Sequence, residues 1–259
     1  MKIRLHQFLS KCGIFSSKNE IKNLIWDGKI TVNGSIVKNI SFEFNPDKKK
    51  VVYEGKELSL PQNEKYFLLN KPTGFICSRL NSQERRLGKK SIYEIFKGRV
   101  SEIIYESLIT VGRLDENTTG FLLVTTDGKL VHRITNPQNK IKKRYYIETT
   151  KLITAKQINS IRKGVKIKIE DNGKIEEYIS RPTILTDIKD KNIILTIDEG
   201  KKREIRRIFN SVGNEVSKLH RLSIEKMILK NYKLKSGEYC EINFEDIDQY
   251  IFNNKKSVS

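Results

Sequence analysis

Apolar residues in the first sixty positions recur at helical spacing and then at strand spacing. Leu5, Phe8, Leu9 and Cys12 fall at i, i+3, i+4 and i+7, one stripe of a short helix, with Gly13 placed to end it. Ser17 and Glu20 have the spacing of a capping box, and Ile21, Leu24 and Ile25 make the next stripe, closed by Gly28. Asn33-Gly34 then sits between two short β-rich runs, the strongest local signal for a tight hairpin. Residues 1–60 therefore predict a small helix–helix–hairpin module. Polar stretches at 45–50 and 59–65, the second containing Pro61, predict the linker to a larger domain over 61–259, with its core at about 65–245.

The larger domain mixes both periods. Residues 66–70 read as a strand running into the turn Lys71-Pro72-Thr73-Gly74, and the polar, basic residues 79–90 as a mobile loop. Strands at 108–111 and 119–126 flank a loop holding Gly112-Arg113-Leu114-Asp115, and Asp127 caps a short helix carrying Leu130, Val131 and Ile134. A strand at 144–149 and a helix opened by Thr154, with Ile158 and Ile161, follow. Two strands near 182–188 and 192–198 lead to a helix whose stripe is Ile205, Ile208, Phe209 and Val212, ended by Gly213. Strands around 215–222 and 237–243 complete the pattern, and the last ten residues look frayed. No internal repeat is visible. The fold class expected is α+β, a largely antiparallel sheet flanked by helices.

Charge adds the first functional indication. The 259 residues include 50 Lys+Arg against 31 Asp+Glu, a formal net charge of +19. Such an excess suits a polyanionic partner, nucleic acid ahead of an acidic membrane surface, because no basic amphipathic anchor stands out at either end. A 37% hydrophobic content rich in Ile, Leu, Val and Phe is enough for a core and argues against disorder. No run of 18 apolar residues occurs and the start does not resemble a secretory signal, so a soluble, cytoplasmic monomer with no membrane partner is expected. Cys12, Cys77 and Cys240 lie far apart and read as reduced, buried thiols. His6, His132 and His220 lack metal-ligand spacing, and phosphate-loop, dinucleotide and serine-elbow motifs are absent. A catalyst built on this chain is expected to use no cofactor and no metal.

Residues 112–128 carry the densest chemistry. A loop aspartate such as Asp115 either caps a turn or faces a cleft. Neighbouring Glu116 points the opposite way in extended chain, so the two do not form the carboxylate pair of a glycoside hydrolase. Burial of Ile205, Ile208 and Phe209 would leave Arg206 at their edge, able to reach into a cleft. In the N-terminal module, Lys18 and Lys22 share a helix face at i, i+4, with Arg4 and Lys11 assigned to the first helix. Such a set is either a solvated face or a nucleic-acid contact.

Two resemblances bear on these alternatives. Residues 3–60, through RLHQFLSKCG, SKNEIKNLI and DGKITVNG, resemble an S4 RNA-binding domain, with Lys18 and Asn19 where the family usually has two arginines. Residues 65–245 resemble the catalytic domain of ribosomal RNA pseudouridine synthases of the small-subunit/large-subunit type. Four segments match in order: KPTGFICS, GRLDENTTGFLLVTTDG, KKRYYIE and EGKKREIRRIF. The departures are Phe121, where Leu is usual, and Asn136, where many members have a His before the proline. The resemblance implies an enzyme that breaks the N1–C1′ bond of a uridine and forms C5–C1′, with ribosomal RNA or a ribosomal assembly intermediate as its partner. It implies that Asp115 is the catalytic carboxylate. Tyr145, in the motif with Lys143, would stack on uracil, and Arg206 would pair with Asp115. Arg113, Lys143, Arg203 and Arg207 would contact RNA, as would Arg4, Lys11, Lys18 and Lys22 of the first module. The competing readings are a non-catalytic S4-domain RNA-binding or ribosome-assembly factor, and a different S4-bearing enzyme such as an aminoacyl-tRNA synthetase or a methyltransferase.

Overall fold

Leu5, Phe8, Leu9 and Cys12 are all buried on one side of the helix Leu5–Cys12, as their spacing requires. The second helix, Lys18–Trp26, starts at Ser17, whose hydroxyl accepts from the Glu20 N–H at 3.1 Å, and buries Ile21 and Ile25. The chain turns out of it at Gly28, at φ +69°. Asn33 and Gly34, at φ +50° and +79°, close the hairpin between Ile30–Val32 and Ser35–Ile36. Two further strands, Val51–Tyr53 and Lys56–Leu58, extend this into a four-stranded sheet. Phe8 meets Phe44 edge-on at 5.3 Å in the shared core. Full burial of a side chain such as Leu or Phe contributes roughly 1.5–3 kcal/mol.

These elements come from a computed structural model that describes residues 2–12, 14–15, 17–60, 64–171 and 174–253. Gly13, Pro61 and residues 254–259 of the expected frayed end lie outside the described residues. The backbone separates into two units, Met1–Lys65 with Tyr93–Ile109, and Tyr66–Ile92 with Thr110–Ser259. Within the first, the helix Glu102–Ser107 packs on Leu5–Cys12, and the Ser107 hydroxyl donates to the Lys11 carbonyl at 2.9 Å. Residues 45–50, read as linker, instead lie between strands of this unit, where Asn33 and Lys50 exchange hydrogen bonds. Arg4 is on the strand Ile3–Arg4 and not on the helix, and its guanidinium meets Glu43 at 3.2 Å.

The second unit is an α+β domain built on a mainly antiparallel sheet. Its strands run in the order Ile184–Lys189, Asn192–Ile197, Lys143–Thr149, Val216–Ile224, Thr118–Thr125, Tyr66–Lys71, Tyr239–Ile242. Only the Thr118–Thr125 and Val216–Ile224 neighbours in that series are parallel. Phe121, Leu122, Leu123 and Val124 are all buried, which accounts for their unbroken apolar run. Phe121 and Leu123 pack with Leu130 and Ile134 of the helix Gly128–Thr135, whose first N–H groups are capped by Asp127.

Three expectations need correction. The loop expected at 79–90 contains the helix Ser82–Arg86, held by a reciprocal capping box between Asn81 and Glu84. Residues 250–253 continue the helical segment Asp248–Phe252, with Ile251 buried. A hairpin of Lys166–Asp171 and Lys174–Ile179 fills the region between the expected helix and strand. The three cysteines are free thiols, Cys12 and Cys77 buried and Cys240 half-buried. Among the described residues, no helix is long and apolar enough to cross a membrane.

Candidate active site

The loop carrying Asp115 is pinned from several directions by the chain around residues 71–89. Lys71 is fully buried, and its ammonium donates to the carbonyls of Pro72, Glu116 and Thr118 at 3.0, 3.2 and 2.8 Å. Burial lowers its pKa, opposed by the fields of Cys77, Asp115 and Glu116. The Gly74 N–H donates to the Glu116 carbonyl, the Leu114 N–H to the Cys77 thiol, and Lys89 meets the Glu116 carboxylate at 2.6 Å. Gly112, at φ +71°, allows the chain to enter this turn. The Glu116 side chain is thereby held away by Lys89, and the Asp115 carboxylate is left 31% exposed.

Asp115 faces a recess of about 80 Å³ lined by Tyr145, Ile197, Leu219, Gly200, Lys201 and the segment from Arg203 to Arg206. Arg203 meets the Asp115 carboxylate at 3.8 Å. The expected partner, Arg206, is turned elsewhere: its guanidinium donates to the Val216 carbonyl at 2.7 Å, while its buried Nε has no partner. Burial lowers the Arg206 pKa, helped by Arg203 and opposed by Asp115, so Arg206 stands within the field of the carboxylate without pairing to it. The reason is local geometry. Arg203 adopts a left-handed conformation, φ +54°, immediately before the helix Glu204–Ser211, which frees its side chain toward Asp115. Arg206 belongs to the first turn of the helix and is spent on the backbone of the following strand.

Tyr145 is 7% exposed, on the strand Lys143–Thr149, and lines both the Asp115 recess and a second one of about 250 Å³. Arg113, exposed, borders both as well. Lys143 lines only the second, donating to the carbonyls of Ile141 and Glu199, and burial lowers its pKa to about 8. Arg207 donates to the Lys168 carbonyl and lines neither recess. In the first unit, Lys18 and Lys22 are exposed and Lys11 is half-buried.

Sequence reasoning passed over other members of this site. Lys71 lies in a segment read as a turn and matched to the family, with no role given to the lysine itself. Arg221 is buried, donates from Nε to the Phe121 carbonyl at 2.7 Å, and has one guanidinium nitrogen without a partner beside the second recess. Glu199 and Glu204 are both buried, 5% and 3% exposed. A charged residue inside an apolar strand, as at Arg221, or at a strand's end beside a glycine, as at Glu199, was the available signal.

Comparison with known proteins agrees with this architecture. Residues 65–211 match the RNA pseudouridylate synthase family and residues 3–48 the S4 domain. The chain belongs to the RNA pseudouridylate synthase family. It is 31% identical over 253 residues to an uncharacterized RNA pseudouridine synthase of Aquifex aeolicus, covering 96% of this chain and 94% of that one. It is 32% identical over 223 residues to the ribosomal small subunit pseudouridine synthase A of Escherichia coli, covering 86% of this chain and 89% of the relative. A crystal structure of a pseudouridylate synthase superposes with a TM-score of 0.64 at 28% identity, covering 96% of this chain and all of that one. This pseudouridylate synthase is thus an isomerase that acts on RNA, with an S4 RNA-binding domain at its N-terminal end.

Proposed function

We propose that this synthase isomerises a uridine of ribosomal RNA, with Asp115 as the catalytic carboxylate. The observation that carries the assignment is the convergence on one recess of a partly exposed aspartate, a guanidinium at 3.8 Å and a buried tyrosine. The names of the relatives and the charge of +19 support a ribosomal RNA substrate.

The reaction breaks N1–C1′, forms C5–C1′ and transfers one hydrogen in net terms from C5 to N1. Substrate and product are isomers, and no oxidant or water is consumed. It needs a carboxylate beside the sugar and base, acting as nucleophile or base. Asp115 is fixed for this by the buried Lys71 beneath its loop, and Arg203 orients its oxygens. Tyr145 offers a ring for uracil to stack on once the nucleotide has flipped out of its RNA, at a cost of a few kcal/mol. Arg113 at the rim and Lys143 in the second recess act as RNA-contacting groups, as does Arg207 outside both, and Arg206 supports the helix that presents Arg203. Arg4, Lys11, Lys18 and Lys22 bind RNA backbone.

The test is Asp115→Asn, nearly isosteric but unable to act as nucleophile or base. Treated ribosomal RNA is mapped by carbodiimide-dependent reverse-transcription stops. The expected result is no new stop, with RNA affinity within a few fold of the parent. Turnover by the folded variant would overturn the assignment.

A further inference from the structure

Glu199 and Glu204 bracket the segment that delivers Arg203. Both side chains are buried, and their carboxyl groups lie within hydrogen-bond reach of one another. Two buried carboxyls at that separation cannot both be ionised. Their other bonds differ. Glu199 accepts from the Tyr178 hydroxyl at 2.5 Å, from the Arg181 N–H at 2.9 Å, and lies 3.7 Å from the Arg181 side chain. Glu204 accepts on one oxygen from the Lys201 N–H at 2.9 Å, while its other oxygen is buried with no partner. A buried oxygen without a donor, in a carboxyl group close to one already supplied with donors, is explained if it carries a hydrogen of its own.

We propose that Glu204 is a protonated, hydrogen-donating acid, and that its bond to Glu199 positions the Arg203 segment against Asp115. Glu204 acts through the placement of Arg203, so it is a positioning residue. Its reach is short. The Glu204 N–H donates to the Lys201 carbonyl, and its carboxyl takes the Lys201 N–H, closing a ring of chain around Lys202 and the left-handed Arg203. The bond to Glu199 ties that ring to the end of the strand Asn192–Ile197.

The charges around the pair divide between its members. Glu199 faces Arg181 and Tyr178, and burial pushes its pKa up while the bonds from Glu204, Tyr178 and Arg181 bring it below the usual value. Glu204 faces Glu199, the Lys201 ammonium that lies 4.0 Å over the Tyr178 ring, and, from the strand Lys143–Thr149, Lys143. Burial first and Glu199 second push the Glu204 pKa up, to about 8. The folded pair therefore holds a proton that the unfolded chain releases near pH 4.5, and stability falls as pH rises across that interval and levels off above it.

The proposal depends on the assignment of Asp115, and its test separates the two. Glu204→Gln keeps a hydrogen donor toward Glu199 but has nothing to ionise. Single-turnover rates at saturating RNA are compared at pH 7 and pH 9. The ratio of variant to wild type is expected to rise about tenfold, since a tenfold population change accompanies each unit beyond the pKa. Taking the ratio cancels ionisation of uracil itself. In parallel, the melting temperature of the variant minus that of the wild type should grow from pH 5 to pH 8 and then stay level. As a check that needs no variant, the infrared band of a protonated carboxyl should be present in wild type at pH 7 and disappear by pH 10. A flat melting difference, or no such band, overturns the shared proton whatever Asp115 does. If the melting difference behaves as expected but the rate ratio stays constant, the pair is structural and its positioning role is overturned. Activity in Asp115→Asn would remove the catalytic reading alone and leave the melting result intact.

Discussion

A carboxylate at the mouth of a recess is useful only if it is both anchored from behind and met by a cation in front. Arg203 is the cation in front of Asp115 and is itself 51% exposed, so their ion pair adds little to stability. Arg203→Ala should therefore slow single turnover at saturating RNA at least tenfold, about 1.4 kcal/mol, while the melting temperature stays within about two degrees. An unchanged rate would return the role to Arg206, which Arg206→Ala would then reveal. Lys71 is the anchor behind. Lys71→Met would leave three carbonyls without their shared donor and should cost about 3 kcal/mol, read as a lower denaturation midpoint. The two residues act in opposite currencies, one in rate and the other mainly in stability.

At the scale of elements, the site depends on a parallel pair of strands. Gly120 pairs with Arg221 where Thr118–Thr125 meets Val216–Ile224, at φ +102°, and a Cβ there would lie 2.4 Å from the Arg221 carbonyl. Gly120→Ala should therefore lower the melting temperature by more than about five degrees, since left-handed strain and a backbone clash each cost on the order of 1–3 kcal/mol. A variant melting like the parent would show that the strands can move apart at that point. The helix Ser82–Arg86 was legible in principle, because Asn81 and Glu84 have capping-box spacing, but only five polar residues follow the cap and no apolar stripe marks them. The hairpin at 166–179 was likewise present as Ile167 and Ile169 alternating with lysines.

For the whole molecule, the charge of +19 makes RNA affinity a function of salt. If Lys18 and Lys22 contact phosphate, replacing both with Ala should flatten the slope of log affinity against log salt by roughly 0.7 to 0.9 for each. Titration at several salt concentrations measures this, and an unchanged slope would place RNA elsewhere. Neutralising these exposed side chains is a cleaner experiment than removing residues 1–60. The segment Tyr93–Ile109 belongs to the same unit as the N-terminal residues and packs its helix on Leu5–Cys12, so truncation would strip that helix of its support.

What the amino-acid order determined by itself was local or motif-borne. The apolar stripes of Leu5–Cys12 and Glu204–Ser211, the Asn33-Gly34 turn and the Asp127 cap depend on residues within a few positions of one another, and these are legible because helix and strand periods are local. The order of motifs around Asp115, Tyr145 and Arg206 also sufficed to indicate the family. Tertiary structure decided the pairings: Arg203 and not Arg206 at Asp115, Lys71 beneath Glu116 and Thr118, and Glu199 against Glu204. Each of the first two joins residues 45 or more positions apart, and the third depends on the turn between its members. Which of several cations reaches a carboxylate is set by backbone direction and by competing carbonyls, neither of which has a sequence period.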